Sequence, residues 1–593
     1  MRVVMMACVA AVLVSASAFG VNYTFVGASF PAPWNTTANW NDGGGGGLVL
    51  PGTTADSYLI ALDCGTTQLV VMADPSPTTS PATAYFGSVT VTGGNLRLPT
   101  GMLSTRDTYR FVAGNGQDGS LLISGTNARF SRNTYNVGVL WDMDGSFRYL
   151  GPTMNDEATG TTMSSEVRMR GANTVFTFSS NSDTRYMMQK LTIDAGASVS
   201  FVAPPVGFNA ARQLVVNGPV SGKVWVPLEV VYPRARVTVG PTVDVSQLDL
   251  SLSVPSATIT AWQLQGAHYR DLDFSTQGWI GGAGERAYTL CIVDDDLWVR
   301  DLKAGYQIPG GSDNPVRFVV DTDNNGVTRN LRVDRDLLLG SNATKRPTAT
   351  LKANSSDVRI GRDLLLYRNP YNAYGSYVTA TTATFRLGRN FTVDCGTLSA
   401  VGWNMGASTF ICDGNGLSLA QTITSKGLPF YDFRINNPGG SVTLADRLTL
   451  NGDLDVECGT FATGGNYIIF KGGIECETLA QEIDVDTGVA LSRVYIQAGS
   501  STFVKLMNNL IVSDNLDIDT GCKLFLNGFT LDLTGSDAAL FLGENTLSGA
   551  GTWTLKEGGE IIGGAAIPEP ATLLLIGTGA LGVLGYIRRR RMV

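Results

Sequence analysis

The sequence has a single histidine, His268, among 593 residues. Imidazole is the usual general base of a catalytic triad and the commonest metal ligand in proteins. Its scarcity therefore argues against a Ser-His-Asp triad and against a histidine-rich metal site. We interpret His268, between Ala267 and Tyr269, as a structural residue.

Charge is also scarce, because Asp, Glu, Lys and Arg together make up 16% of the chain. The net charge of −8 argues against nucleic acid as a partner, since phosphate contacts need clustered cations. The 44% of apolar residues is too high for a disordered chain. The 70 glycines follow no G-X-Y period, which excludes collagen.

Residues 1–18 have the pattern of a secretory signal peptide. Arg2 precedes an apolar run over residues 3–14, and the small residues Ala16 and Ala18 form the cleavage pattern. We predict cleavage after Ala18, with a cut after Gly20 as the alternative. A membrane anchor is the competing interpretation, although the apolar run is short for a membrane span.

The last residues predict a transmembrane helix. Residues 571–587 carry no charge, and this length is near the lower limit for a membrane span. Four arginines follow at 588–591, and such a cluster stays on the cytoplasmic side. We therefore expect an inner-membrane anchor, at least a transient one, with the body of the protein on the far side. Without Arg2 and these four arginines, the net charge changes from −8 to −13.

This C-terminal segment, residues 567–593, resembles the PEP-CTERM sorting signal. A Pro-Glu-Pro motif is followed by an apolar helix and an arginine cluster, although Ile567 stands where the family usually has valine. The matching residues are Pro568, Glu569 and Pro570, with Arg588, Arg589, Arg590 and Arg591. The resemblance implies recognition by an exosortase, a membrane protease of Gram-negative bacteria, and export linked to extracellular polysaccharide. A permanent anchor is the alternative.

The middle of the chain contains internal repeats. Three segments, LRVDRDLLL, VRIGRDLLL and FRLGRNFTV, begin at Leu331, Val358 and Phe385 and align without a gap at a constant 27-residue period. A looser copy, CIVDDDLWV, begins at Cys291, further from the first copy than this period. A second, 62-residue repeat begins at Ser441 and again at Phe503.

Within the repeats, apolar residues alternate with polar ones, as in half-buried strands, and Gly, Asn and Asp supply the turns. Strands this short suit stacked coils. We therefore predict an all-β fold, a parallel β-helix (β-solenoid) rod, with tandem β-sandwiches as the alternative. Residues 290–560 also resemble the passenger segments of bacterial autotransporters and filamentous-haemagglutinin-type surface proteins, which implies the same fold.

The predicted organisation has six parts. They are a signal peptide (1–18), an N-terminal cap (19–75), an irregular solenoid (76–290), a solenoid with 27-residue repeats (291–400), a solenoid with 62-residue repeats (401–562) and the sorting signal with its transmembrane anchor (567–593). In the cap, Trp34 and Trp40 are expected to be buried, and a sugar-stacking platform is the alternative.

Seven cysteines remain after removal of the signal peptide. In VDCGT and VECGT the alternation puts the cysteine on the same face as the preceding valine, which predicts a small buried residue. A disulfide such as Cys412–Cys476 stays open, because no framework spacing supports it. The absence of any CxxC pair argues against a zinc site.

Asp294 and Asp296 are weak catalytic candidates, because they lie in the densest acidic cluster and paired carboxylates cleave glycosidic bonds. Their alignment with Asp334-Arg335-Asp336 favours a turn instead. Asp321, Asp323 and Asn325 are weak calcium candidates, because their spacing matches the start of an EF-hand loop. Position 12 of that loop is Arg332, where a bidentate carboxylate is needed.

The repeats also place Arg335, Arg362 and Arg389 in one column. The column could form an exposed stripe or pair with neighbouring aspartates. We expect a solvated ladder, and contact with an anionic polysaccharide is the alternative.

These patterns predict an exported bacterial cell-surface or extracellular-matrix protein with a structural or adhesive role. The expected partners are an exosortase-type protease and extracellular polysaccharide, with no nucleic acid. Apart from the calcium candidates we expect no cofactor and no enzyme activity. The alternative is a β-helix polysaccharide lyase or glycosidase.

Overall fold

The computed structural model describes the chain from residue 186 to residue 542 with short gaps, and isolated strands on either side. The described ranges are 186–202, 209–227, 237–254, 261–276, 286–305, 316–340, 347–367, 376–394, 402–417, 419–472, 480–497, 502–535 and 539–542, with strands between 21 and 178 and between 547 and 563. The chain divides into two units. The first comprises Met1–Gly282 and Gln307–Ser312, and the second comprises Ala283–Tyr306 and Asp313–Val593.

The first unit consists of two stacks of parallel strands. One stack contains Tyr58–Val70, Ser88–Leu98, Ser120–Ser124, Arg129–Arg132, Phe147–Leu150, Thr174–Phe178, Val199–Val202, Val220–Pro227, Gln247–Val254 and Asp271–Thr276, with the short strands Val21–Phe25, Ala32–Pro33 and Trp40–Asn41 at its start. The other contains Thr83–Phe86, Thr108–Ala113, Gly138–Met143, Ser164–Met169, Tyr186–Ile193, Asn209–Val216 and Val237–Val239. The strand Ala261–Gln265 also belongs to this unit.

The second unit is a parallel β-solenoid of about eleven turns, which confirms the predicted fold. Sheet 1 contains Leu297–Val299, Leu331–Val333, Asp357–Ile360, Thr384–Leu387, Thr409–Cys412, Asp432–Leu444, Leu454–Ala462, Gln481–Val485, Phe503–Leu506, Lys523–Phe525 and Leu547–Ser548. Sheet 2 contains Asp301–Ala304, Leu337–Leu339, Leu364–Tyr367, Phe391–Asp394 and Ala420–Thr424, and continues into the second halves of the two long strands of sheet 1.

The remaining strands of this unit close the coils. Sheet 3 contains Arg286–Val293, Val316–Asp321, Pro347–Asn354, Tyr377–Ala380 and Gly402–Asn404. Sheet 4 contains Pro429–Phe430, Leu448–Leu450, Tyr467–Phe470, Ala490–Ile496, Leu510–Ile518, Thr530–Leu533, Ala539–Leu542, Thr552–Leu555 and Glu560–Gly563. A two-stranded hairpin, Asp323–Asn324 with Val327–Thr328, and a 3-10 turn, Gly414–Gly416, interrupt the strands.

The period of the three regular segments is the length of one coil. Leu331, Val358 and Phe385 are partners in adjacent parallel strands of sheet 1. The alternate residues point inward, as the burial of Leu331, Val333 and Leu337 shows. The apolar residues of successive coils therefore form continuous inward ladders, and the period-two pattern arises from this packing.

The two other repeat alignments do not describe stacked neighbours. The partner of Leu331 is Leu297, whereas the looser repeat copy would have placed Cys291 there, so that copy is out of register. Leu454 stacks on Phe433 in sheet 1, whereas its equivalent in the longer repeat, Leu516, stacks on a strand of sheet 4. Similar strand–turn sequences recur in different sheets because every strand of a coil meets the same packing demand.

Candidate functional site

A straight column of side chains runs along the outward side of sheet 1. Its members are partners in successive parallel strands, so they lie about 4.8 Å apart along the stack. In order they are Trp298, Arg332, Arg359, Arg386, Ile411, Arg434, Asp455 and Asp484. We call this set the central column; Ile411 is buried and the other seven members are at least partly exposed. It changes from basic to acidic within eight coils.

The first four members form the basic end of the central column. The Arg332 guanidinium lies 3.9 Å from the centre of the Trp298 ring, a cation–π contact. Both side chains donate to Asp334, Trp298 Nε1 at 2.7 Å and Arg332 Nε at 2.8 Å. This end therefore presents a fixed aromatic–guanidinium pair at the surface.

The next two arginines have weaker partners. Arg359 is exposed and donates to the amide oxygen of Asn415, at 2.7 Å from Nη2. Arg386 lies 3.8 Å from Asp357 and 4.0 Å from Asp413, too far for good hydrogen bonds. These two guanidinium groups are thus only loosely neutralised by the residues that the structure describes.

A groove opens at the other end of the central column, with a cavity volume of about 490 Å³. Five carboxylates and two arginines line it, together with Thr384, Thr409, Ile411, Phe433 and Leu454. The charged members are Asp432, Asp453, Asp455, Glu482, Asp484, Arg386 and Arg434. We call it the acidic groove, because its carboxylates outnumber its guanidinium groups.

A carboxylate ladder holds one wall of the acidic groove. Asp432 Oδ1 accepts from the backbone N–H of Asp453 at 2.9 Å, and Asp453 Oδ1 accepts from that of Glu482 at 2.7 Å. Glu482 in turn lies 2.9 Å from Lys505 Nζ. Each side chain thus caps the strand of the following coil, which fixes its orientation.

Burial sets the protonation of two carboxyls in the acidic groove. It raises the pKa of Asp453 to about 6, with smaller opposing effects from the Glu482 N–H and Lys505. Burial also raises the pKa of Asp455, although Arg434, 2.8 Å away, opposes the shift. Asp453 can therefore hold a proton at mildly acidic pH.

The arginine column predicted from the repeats lies on a neighbouring edge of the coils, beside a column of aspartates. Arg335 lies 3.7 Å from Asp301, and Arg362 lies 3.6 Å from Asp336. Arg389 Nε donates to Asp363 at 2.7 Å, and its Nη2 donates to the same carboxylate. Each arginine thus pairs with an aspartate of the preceding coil.

Sequence reasoning missed the arginines of the central column. Arg332, Arg359 and Arg386 occupy the second position of the same three regular segments, between two inward apolar residues. The residue between two inward residues faces outward in a strand. The alternation alone was therefore a sufficient signal for this column.

Asp294 and Asp296 occupy a bend before sheet 1, and Asp294 has a φ of 68°. Asp296 accepts from the backbone and side-chain nitrogens of Asn330 in the next coil, at 2.7 and 3.0 Å. Asp301, rather than Asp296, occupies the position equivalent to Asp336, because the residues that follow them pair in sheet 2. Catalysis by this pair stays a prediction, and Asp296 already has a structural role as a cap.

The calcium candidates lie on the hairpin. Asp323 accepts from Gly326 N at 2.9 Å and from Thr328 Oγ1 at 3.2 Å. Asp321 lies 3.4 Å from the Nζ of a lysine, Lys352. Asn325 and Gly326 have φ of 56° and 83°, which an Asn-Gly hairpin turn requires. Calcium binding stays a prediction here; among the described residues, no three His, Cys, Asp or Glu side chains are grouped to hold a metal ion.

Among the cysteines whose side chains the structure describes, one departs from the sequence prediction; Cys395 of VDCGT lies outside the described residues. Cys412 is a buried free thiol. The suggested Cys412–Cys476 disulfide stays open, because Cys476 lies outside the described residues. Cys458 is only partly buried, because its strand shifts register beside Asn436, which accepts from its Sγ at 3.1 Å. The alternation rule thus fails at this irregularity.

Several predictions concern parts of the chain outside the described residues. They are the signal peptide with Ala16 and Ala18, the side chains of Trp34 and Trp40, Cys476, and the motif residues from Pro568 to Arg591. Within the described ranges, the structure has no helix that is long and apolar enough to span a membrane.

The comparisons with known proteins bear on the C-terminus. Residues 566–591 match the family model of the PEP-CTERM protein-sorting motif, which confirms the resemblance seen at Pro568, Glu569 and Pro570. No curated protein and no solved structure matches the chain. The motif indicates an exported protein that an exosortase-type membrane protease recognises.

Proposed function

We propose that this exported protein is a structural and adhesive component of the cell surface or extracellular matrix, associated with extracellular polysaccharide. The observation that supports the proposal is the central column, in which seven of the eight members are at least partly exposed side chains repeated at about 4.8 Å per coil, Ile411 being the buried one. A polymer lying along such a stack meets many weak contacts at once, and these add up to useful avidity.

The experiment uses the exported protein purified from the producing cells and the polysaccharide of the same cells. We expect the protein to sediment with the polysaccharide and to release no new chain ends, with calcium or with a chelator. Absence of co-sedimentation would contradict the adhesive role. New chain ends, at protein loads where a known lyase is active, would contradict the structural role.

The second candidate is a glycosidase, and the acidic groove is the observation that favours it. Asp453, with a pKa of about 6, would act as the proton donor to the glycosidic oxygen, and a neighbouring carboxylate would act as the base. Asp453→Asn would then abolish the release of chain ends, whereas Asp394→Asn, on sheet 2, would preserve it. Unchanged cleavage by Asp453→Asn would exclude this site.

A further inference from the structure

The central column carries opposite charges at its two ends. Arg332, Arg359 and Arg386 lie on three consecutive coils, and Asp455 and Asp484 lie on two consecutive coils beyond Arg434. The acidic groove surrounds the second end and adds Asp432, Asp453 and Glu482. One sheet thus displays both a row of guanidinium groups and a carboxylate-lined recess.

We propose that two copies of this chain pair through the outward side of sheet 1 in antiparallel order, so that the arginines of each copy enter the acidic groove of the other. This inference goes beyond the proposed function and does not depend on polysaccharide binding. The coil spacing supports this pairing, because both copies repeat their side chains at the same interval of about 4.8 Å.

The register follows from a two-fold axis that lies between the two sheets, parallel to the strands and over Ile411. Ile411 is the fifth of the eight members of the central column, so the axis matches members at equal distances on either side of it. Arg332 then opposes Asp484 of the other copy, and Arg359 opposes Asp455. One rotation therefore brings both pairs face to face twice, as an isologous interface requires. Asp455 and Arg332 also keep their own partners, Arg434 and Asp334, at 2.8 Å, so each would be shared between the two copies.

The same rotation sets Arg386 opposite Arg434, a contact between like charges. Arg434 is already held by Asp455 at 2.8 Å and by Glu457 at 3.1 Å in its own chain. Parallel stacking would be worse, since it would place every arginine on the same arginine and every carboxylate on the same carboxylate. The charge order therefore selects the antiparallel arrangement.

The contact area predicts a weak complex. Seven coil spacings give a length of about 34 Å, and a width of about 12 Å leaves roughly 400 Å² for each partner. Stable interfaces bury about 800 Å² for each partner. We therefore expect reversible pairing at high protein concentration, sensitive to salt because the contacts are charged and close to solvent.

The test is sedimentation equilibrium of the purified exported protein without polysaccharide. We expect a monomer–dimer equilibrium that weakens about tenfold when NaCl rises from about 0.05 to about 0.5 M. Arg332→Glu/Arg359→Glu and Asp455→Arg/Asp484→Arg should each lose the dimer. An equimolar mixture of the two variants should recover it, because each reversed charge then meets its reversed partner.

Lys303→Glu is the matched control for one arginine reversal, since it makes the same change of charge as Arg332→Glu at an exposed position of sheet 2 and should leave the dimer intact. Circular dichroism reports whether each variant folds. If Asp455→Arg fails to fold, the single variants Asp484→Arg and Arg332→Glu are mixed instead of the two double variants. A wild type that stays monomeric at low salt overturns the proposal. So does a mixture that stays monomeric, or an arginine variant that loses polysaccharide binding while its dimer is unchanged.

Discussion

The coils over residues 331–394 and those over residues 402–485 build the same sheet 1 in different ways. In the first region every coil has the same length. In the second, the spacing along sheet 1 shortens coil by coil up to Leu454 and lengthens again to Ile483. The inward ladder continues through both, so the stack depends on the inward residues and tolerates changes in the loops between them.

The two regions also differ on the outside. The first region, residues 331–394, is called the regular region and presents Arg332, Arg359 and Arg386. The second, residues 402–485, is called the variable region and presents Asp455 and Asp484 in the same column. The acidic groove opens mainly in the variable region. Coils of constant length thus present a repeated surface. Coils of changing length form a recess, and a specific site can form in that recess.

The largest loss of stability is expected from a substitution in the aromatic cluster that fills the core of the variable region. Phe410 is fully buried, and its ring centre lies 5.0 Å from that of Phe430 and 6.0 Å from that of Phe433. Phe410→Ala should lower the free energy of unfolding by about 3–5 kcal/mol, because it removes a large side chain and leaves a cavity. Urea unfolding measures this loss.

Leu364→Ala makes the corresponding change in the regular region, where the side chain is also fully buried. It should cost about 2–5 kcal/mol. Thr392→Ala, at an outward position, should cost less than about 0.5 kcal/mol. If Phe410→Ala cost no more than Thr392→Ala, the aromatic cluster would not be the core of the variable region.

The fold could be predicted from sequence because each strand shows the alternation that its burial demands. Leu337 and Leu339 point inward and Leu338 outward, as the pattern indicates. The constant spacing from Leu331 to Phe385 also gave the coil length correctly. Local patterning and stacking agree here, so the strands of the regular region can be predicted from the sequence.

The candidate site could be predicted only in part, because it depends on which distant coils meet. The carboxylates of the acidic groove, such as Asp432 and Glu482, come from coils of unequal length, so no fixed spacing connects them. The longer repeat, from Ser441 to Phe503, likewise aligns residues that lie in different sheets and does not mark stacked neighbours. By contrast, the outward position of Arg359 follows from the alternation itself.

A smaller difference in stability should separate variants of the two arginine columns. Arg389→Ala breaks the two hydrogen bonds to Asp363, a carboxylate that is 13% exposed, and should cost about 1 kcal/mol after allowance for solvent screening. Arg359→Ala removes an exposed guanidinium bound to Asn415 and should cost less than about 0.5 kcal/mol. Urea midpoints of the two variants measure the difference; equal midpoints would contradict the distinction between paired and available arginines.

An effect of similar size concerns the pH dependence of stability in the variable region. Burial raises the pKa of Asp453 from 3.8 to about 6, so the folded protein binds this proton more tightly than the unfolded chain does. The resulting destabilisation is fully present above pH 6 and is relieved as pH falls from about 6 towards 4. After allowance for solvent screening, it amounts to about 1 kcal/mol.

Asp453→Asn should therefore be about 1 kcal/mol more stable than the wild type at pH 7, with the difference vanishing near pH 4. The amide oxygen of Asn can still accept from the Glu482 N–H, so the ladder is preserved. Asp394→Asn, on sheet 2, serves as the control. Thermal unfolding measured from pH 4 to pH 7 decides the question: a constant difference between Asp453→Asn and the wild type would mean that the acidic groove does not bury this carboxyl enough to hold a proton. The variable region would then differ from the regular one in shape and charge but not in protonation.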